Sequence, residues 1–103
     1  MAEHNRMRML LENKVAVIYG AGGPIGSAVA RSFSREGARV FLAGRTKAKL
    51  DRVVSEILAS GGIAQATPLD ALNEQAVDAF ITAVIEQAGT IDISMNVIGY
   101  GDV

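Results

Sequence analysis

Short apolar runs alternate with longer amphipathic segments along this chain of 103 residues. Residues 14–19, 39–43, 63–69 and 91–98 are apolar runs, each ending beside a turn-forming or polar residue, and they are typical of buried strands. Pro68, near the end of the third run, predicts a strand that is short or lies at a sheet edge.

The three segments between these runs have the periodicity of helices. In residues 24–36 the apolar side chains of Ile25, Val29 and Phe33 recur every four positions, and Gly37 is placed to end the helix. Thr46 is a candidate N-cap for the second helix and Asn73 for the third. The inward faces predicted for these two helices are Leu50, Val53, Val54, Ile57 and Leu58, and Val77, Phe80, Ile81, Val84 and Ile85.

The order βαβαβαβ predicts an α/β fold. Strands separated by helices of this length run parallel with right-handed crossovers, so a three-layer αβα arrangement follows. We assign residues 12–103 to this unit and expect the polar residues 1–11 to be an N-terminal extension. Because a sheet that stopped at the fourth strand would expose an apolar edge, we expect the chain alone to be marginally folded, poorly soluble or oligomeric.

Composition excludes several classes of protein. Half of the residues are hydrophobic and a fifth are charged, which favours a folded domain over disorder. A formal net charge of −1 offers no general attraction for nucleic acid or an anionic membrane. Absence of cysteine excludes disulfides and thiolate metal sites and fits a cytoplasmic protein. His4 has no partner ligands, so no metal site is expected.

A glycine-rich turn lies between the first strand and the first helix. Missing side chains there allow a sharp bend and the approach of a pyrophosphate, while the helix N-terminus supplies N–H groups to the anion. Pro24 suits the first helical position, and Gly26 would let the first helical turn pack close to the strand. The alternative is a glycine-rich turn without a ligand. The residues of this turn are Gly20-Ala21-Gly22-Gly23-Pro24-Ile25-Gly26.

From this turn onward the sequence resembles the short-chain dehydrogenase/reductase family, over residues 13–103. The resemblance implies a Rossmann-type parallel sheet whose first four strands have the order 3-2-1-4. Tyr19 and Pro24 replace the threonine and the middle glycine of the family's classical motif, and the spacing Gly20-x-x-Gly23-x-x-Gly26 is similar to the extended and atypical branches. The long second helix, residues 43–45 and residues 92–99 favour the classical branch.

The end of the second strand points to the choice of cofactor. An acidic residue there would bind the adenosine ribose hydroxyls, but the sequence has Arg45 and no carboxylate. A guanidinium pairs well with a phosphate, which predicts NADP(H) over NAD(H), with Thr46 or Lys47 as helpers. Arg45 as a solvated residue at a helix start is the alternative. Lys49 and the other helix-face charges are expected to be solvated.

Four further residues are implied in cofactor binding by the family resemblance. Asp70 would bind the adenine amino group with help from the backbone of Ala71, although an aspartate here also suits a turn or a helix cap. Asn96 and Gly99 match the end of the family's fourth strand, Asn-Asn-Ala-Gly. Asn96 would fix the strand end or contact the cofactor, and Gly99 would leave room for its adenosine side.

The resemblance implies hydride transfer between NADP(H) and a carbonyl or alcohol. The family's catalytic tyrosine precedes a lysine by four residues, and neither Tyr19 nor Tyr100 does so. We therefore expect the catalytic serine, tyrosine and lysine beyond Val103, and no catalytic residue in this chain. A nucleotide-sugar epimerase or dehydratase of the extended branch, or a non-catalytic dinucleotide sensor, are the alternatives. For the intact enzyme we expect a small-molecule substrate and a homo-oligomer.

Overall fold

The structure, a computed structural model, describes residues 9–97. His4 and Gly99, with the rest of residues 1–8 and 98–103, lie outside the described residues. The strands are parallel in the order β3-β2-β1-β4, which confirms the predicted α/β class and strand order. The elements are β1 (Val15–Tyr19), α1 (Pro24–Arg35), β2 (Arg39–Gly44), α2 (Lys47–Ala59), β3 (Ile63–Pro68), α3 (Glu74–Ala88) and β4 (Ile93–Asn96).

Helices cover both faces of the sheet. Alternate strand residues such as Ile18 and Leu42 pack with buried residues of α1 and α2, whereas Val17 and Phe41 pack with α3. This alternation follows from the two-residue period of a strand and accounts for the fully buried centre of β1. Within residues 9–97 no helix combines the length and the apolar character needed to cross a bilayer.

The predicted helix ends are largely confirmed. Pro24 is the first residue of α1, and the Oδ1 atom of Asn73 accepts a hydrogen bond from the backbone N–H of Ala76 at 3.1 Å. Thr46 has the N-cap position of α2, but its side chain makes no capping hydrogen bond. Gly37 and Gly89 follow the ends of α1 and α3 with φ of +94° and +84°.

Two residues of the predicted inward faces are exposed, Leu58 (54%) and Ile85 (46%). Ile25, the first of the apolar residues that recur along α1, is 69% exposed. All three lie in the first or last turn of their helices. Helical periodicity identifies a face, but it does not show how far the sheet extends along that face.

β4 begins two residues later than the predicted run of residues 91–98 and ends at Asn96, whereas Ile98 lies outside the described residues. Directly before β4, the Oδ2 atom of Asp92 accepts a hydrogen bond from the backbone N–H of Val15 at 2.8 Å. The backbone N–H of Asp92 donates to the carbonyl oxygen of Val15 at 2.9 Å. The two bonds anchor the start of β4 beside β1.

Residues 9–11, part of the expected extension, are held against the end of α1. The backbone N–H of Leu11 donates to the carbonyl oxygen of Glu36 at 2.7 Å, and that of Leu10 donates to the Glu36 carboxylate at 3.2 Å. The Leu11 side chain packs against the core on the α1 and α2 face. This short segment therefore contributes to the domain.

Candidate cofactor site

The carboxyl ends of β1, β2 and β3 are tied together by backbone hydrogen bonds. The N–H of Gly20 donates to the carbonyl oxygen of Ala43 at 2.9 Å, and the N–H of Leu69 donates to that of Gly44 at 2.7 Å. The turns that follow the three strands consequently meet at one edge of the sheet. They surround a cavity of about 620 Å³ lined by Tyr19, Gly20, Gly22, Gly23, Ala43, Gly44, Arg45, Thr46, Lys49, Leu69, Asp70, Ala71 and Leu72.

The glycine turn has two positions that only glycine fills well. Gly20 has φ of +78°, a left-handed conformation that a side chain disfavours. A Cβ atom on Gly26 would overlap the carbonyl oxygen of Gly20 and lie 2.8 Å from Cγ2 of Val97. The first turn of α1 therefore packs directly on the turn, as predicted for Gly26.

The start of α1 is suited to an anion. Gly23 is the N-cap residue and has no side chain with which to cap the helix, and the first turn contains no acidic residue. The first helical hydrogen bond runs from the N–H of Ser27 to the carbonyl oxygen of Gly23, at 2.9 Å. The N–H groups of Ile25 and Gly26 precede this bond, in a first turn that no side chain caps. A helix N-terminus of this kind attracts a phosphate through its N–H groups and its dipole.

Arg45, which the sequence predicts to select the cofactor, directly follows β2. It is exposed, lines the cavity and makes no ion pair with any residue in 9–97. Thr46 also lines the cavity, but Lys47 does not; its Nζ instead pairs with Oδ2 of Asp51 at 2.6 Å. Of the two helpers suggested by the sequence, only Thr46 is at the site.

Asp70 lines the same cavity and also shapes its own turn. Its Oδ1 accepts from the backbone N–H of Leu72 at 2.9 Å, and its carbonyl oxygen accepts from the N–H of Asn73 at the same distance. This is the Asx-turn that the alternative interpretation of the residue required. Ala71, which follows it, also lines the cavity.

Four of the proposed site residues do not line the cavity. Pro24, Ile25 and Gly26 form the start of α1 beside it, and Asn96 ends β4, where it is aligned with Tyr19. Asn96 is exposed rather than buried within its strand. The N–H of Val97, the next residue, donates to the carbonyl oxygen of Tyr19 at 3.0 Å and so holds the strand end. Gly99 lies outside the described residues.

Six cavity-lining residues are not among the site residues predicted from the sequence, and two of them, Lys49 and Tyr19, have side chains with a polar group. Lys49 is exposed as expected, but it lies at the cavity mouth and not on a remote helix face, which corrects its assignment to solvent alone. Its position in the first turn of α2, which has no acidic residue, is the signal that would have indicated it. Tyr19 ends β1 at the same sheet edge as the glycine turn. Its phenol ring packs edge-on against the ring of Phe80, with 5.8 Å between the ring centroids.

Burial raises the pKa of the Tyr19 phenol above its ordinary value near 10. Because the raised pKa belongs to the folded state, burial of the neutral phenol stabilises the fold fully below about pH 10 and less as the pH rises toward the folded pKa. In a Tyr100→Phe variant, tyrosinate absorbance should titrate with a midpoint above that of the same variant in urea. Equal midpoints would contradict the burial of Tyr19.

The strand order, the crossovers and the glycine turn before α1 define a Rossmann-type α/β domain. Residues 14–103 match the family model described as short chain dehydrogenase. The chain therefore belongs to the short-chain dehydrogenase/reductase family, which uses NAD(P).

Relatives extend the comparison. An oxidoreductase of Bacillus subtilis (strain 168), YxbG, is 43% identical over 86 residues, which cover 84% of this chain and 32% of YxbG. A metagenomic short-chain oxidoreductase in complex with NADP has a TM-score of 0.79 at 40% identity, covering 82% of this chain and 38% of that one. A solved structure from Haemophilus influenza with bound NAD has a TM-score of 0.79 at 30% identity, and the match covers 86% of this chain and 32% of that one. The chain spans about a third of the length of these relatives.

Proposed function

We propose that this chain is the NADP(H)-binding portion of an oxidoreductase that transfers hydride between the nicotinamide and a carbonyl or secondary alcohol. The observation that carries the proposal is the cavity that Arg45 shares with the glycine turn. The turn between β2 and α2 contains no carboxylate. An acidic residue there would bind the ribose hydroxyls and repel a 2′-phosphate, and this turn has none. The solved relatives include one with NADP and one with NAD, so the choice rests on Arg45.

Each part of the cavity suits one part of the cofactor. Gly22, Gly23 and the uncapped start of α1 would bind the pyrophosphate, and Arg45 with Thr46 would bind the 2′-phosphate. One carboxylate oxygen of Asp70 accepts the hydrogen bond of its Asx-turn. The other would accept a hydrogen bond from the adenine amino group, with the backbone of Ala71 assisting. Asn96 would fix the end of β4 or contact the cofactor, and Gly99 would leave room for the adenosine side of the cofactor.

A bound cofactor would supply the hydride to a carbonyl or accept it from an alcohol, and the residues of this chain would bind and orient that cofactor. We propose that the catalytic serine, tyrosine and lysine lie beyond Val103, in an enzyme of the classical branch that acts on a small molecule as a cytoplasmic homo-oligomer. The oxidoreductase description of YxbG favours this reaction over that of an epimerase. We expect the 103-residue chain to bind cofactor weakly and to show no turnover.

Titration of the chain with NADPH and with NADH, followed by cofactor fluorescence, tests the proposal. We expect the Kd for NADPH to be about tenfold lower or more, because a guanidinium–phosphate contact is charge-assisted. A control titration with free reduced nicotinamide mononucleotide, which has the same fluorophore, should show no saturation, since the residues that bind the adenosine half would be unused. Clearly tighter binding of NADH would refute the cofactor choice.

A further inference from the structure

Lys49 lies beside the glycine turn, although it is 23 positions further along the chain than Gly26, the last residue of that turn. A Cβ atom on Gly22 would lie 3.1 Å from Cβ and 3.8 Å from Cδ of Lys49, so the stem of the lysine passes over the space that Gly22 leaves empty. The backbones are close because Gly44 also lacks a side chain: a Cβ there would lie 3.7 Å from the nitrogen of Gly22. Packing of two glycine positions thus places this lysine at the cavity.

The charges around the cavity give Lys49 a particular weight. Asp70 is the one carboxylate among the cavity-lining residues, and in formal charge it cancels Arg45. Lys49 therefore makes the lining net positive. A phosphate monoester carries between one and a half and two negative charges near neutral pH, so a single guanidinium neutralises only part of it.

Nothing within residues 9–97 compensates Lys49. Lys47 is paired with Asp51 one turn along α2, whereas neither Lys49 nor Arg45 takes part in an ion pair among the described residues. The first turn of α2 contains no acidic residue, and its N-terminal dipole disfavours a cation there. An anion bound at the cavity would attract both the lysine and the N-terminus of α2, and would therefore offset the repulsion between them.

We propose that Lys49 is a second specificity-determining residue, which selects the 2′-phosphate of NADP(H) together with Arg45. The inference rests on the proposed function, since it concerns the same cavity and the same ligand. Lys49 adds the second positive charge that the phosphate dianion needs, and Gly22 leaves the room through which its side chain reaches the site.

The test compares 2′-phospho-ADP-ribose with ADP-ribose, which differ only in the 2′-phosphate and need only the adenosine half of the site. Binding of each to the 103-residue chain is measured by amide NMR titration, which also shows that each variant is folded. Lys49→Met keeps the apolar stem and removes the charge. Lys47→Met, the matched control, makes the same change at the neighbouring lysine outside the cavity.

We expect Lys49→Met to raise the Kd for 2′-phospho-ADP-ribose about fivefold, as for a partly exposed charged contact, and to leave that for ADP-ribose unchanged. Lys47→Met should change neither. Equal weakening of both ligands would assign Lys49 to the pyrophosphate and overturn the inference, as would no weakening. If the unmodified chain prefers ADP-ribose, the proposed function itself fails; if it prefers the phosphorylated ligand and Lys49→Met keeps that preference, only this inference fails.

Discussion

Replacing Gly26 with alanine is expected to lower the free energy of unfolding by about 3 kcal/mol or more. The added methyl group would overlap the carbonyl oxygen of Gly20 and lie 2.7 Å from its carbonyl carbon, and a backbone does not yield as a side chain end does. That carbonyl also accepts from the N–H of Gly23 at 3.2 Å, so moving it would disrupt the glycine turn. The gain in helix propensity, about 1 kcal/mol, is too small to offset the clash.

Gly61→Ala is the matched control for this substitution. Gly61 has φ of +88° and no atom within 4 Å of an added Cβ, so alanine there costs conformational strain alone, about 1 kcal/mol. Urea unfolding followed by circular dichroism measures both variants. A loss for Gly26→Ala no greater than that for Gly61→Ala would show that α1 does not pack on the glycine turn as described.

Replacing Arg45 with aspartate should reverse the preference between the two cofactors. The substitution removes the guanidinium from the 2′-phosphate and introduces a carboxylate that repels it, while the carboxylate accepts hydrogen bonds from the ribose hydroxyls of NADH. We expect the ratio of the two Kd values to change about 100-fold in favour of NADH. Fluorescence titrations with NADPH and NADH measure this ratio.

Arg52→Asp controls for the change in net charge. Arg52 is exposed on α2, as Arg45 is exposed before it, but it does not line the cavity. Its substitution should leave the ratio of Kd values nearly unchanged, because screening at ordinary ionic strength weakens a charge that makes no direct contact. If the two variants changed the ratio equally, Arg45 would act only through the overall field of the protein.

Local signals in the sequence predicted most of the fold. Pro24 at the first position of α1 and Asn73 as the cap of α3 follow from backbone chemistry within one helical turn, and both are confirmed. Thr46 shows the limit of such signals: the residue type and position suit a cap, but its side chain makes no capping bond. Whether a side chain caps a helix or faces a cavity depends on neighbours that lie elsewhere in the sequence.

Asp70 and the two lysines of α2 show the same limit at the site. The sequence offered two roles for Asp70, and the Asx-turn became visible only with the bond to Leu72. Lys47 and Lys49 are two residues apart and chemically identical. Lys47 pairs with Asp51, whereas Lys49 lies over Gly22, because positions two residues apart point about 200° from each other around a helix.

The sequence by itself determined the order of the elements, the parallel sheet, the glycine turn before α1 and the absence of a carboxylate after β2. These depend on periodicity and on neighbours along the chain, which folding leaves unchanged. The tertiary structure alone decided that Lys49 joins Arg45 at the cavity, that Asp92 anchors β4 and that Ile25 is exposed. The first depends on turns that meet only when the parallel strands align their carboxyl ends, and the second on the contact between the amino ends of β1 and β4. The third depends on how far the packed core extends along α1.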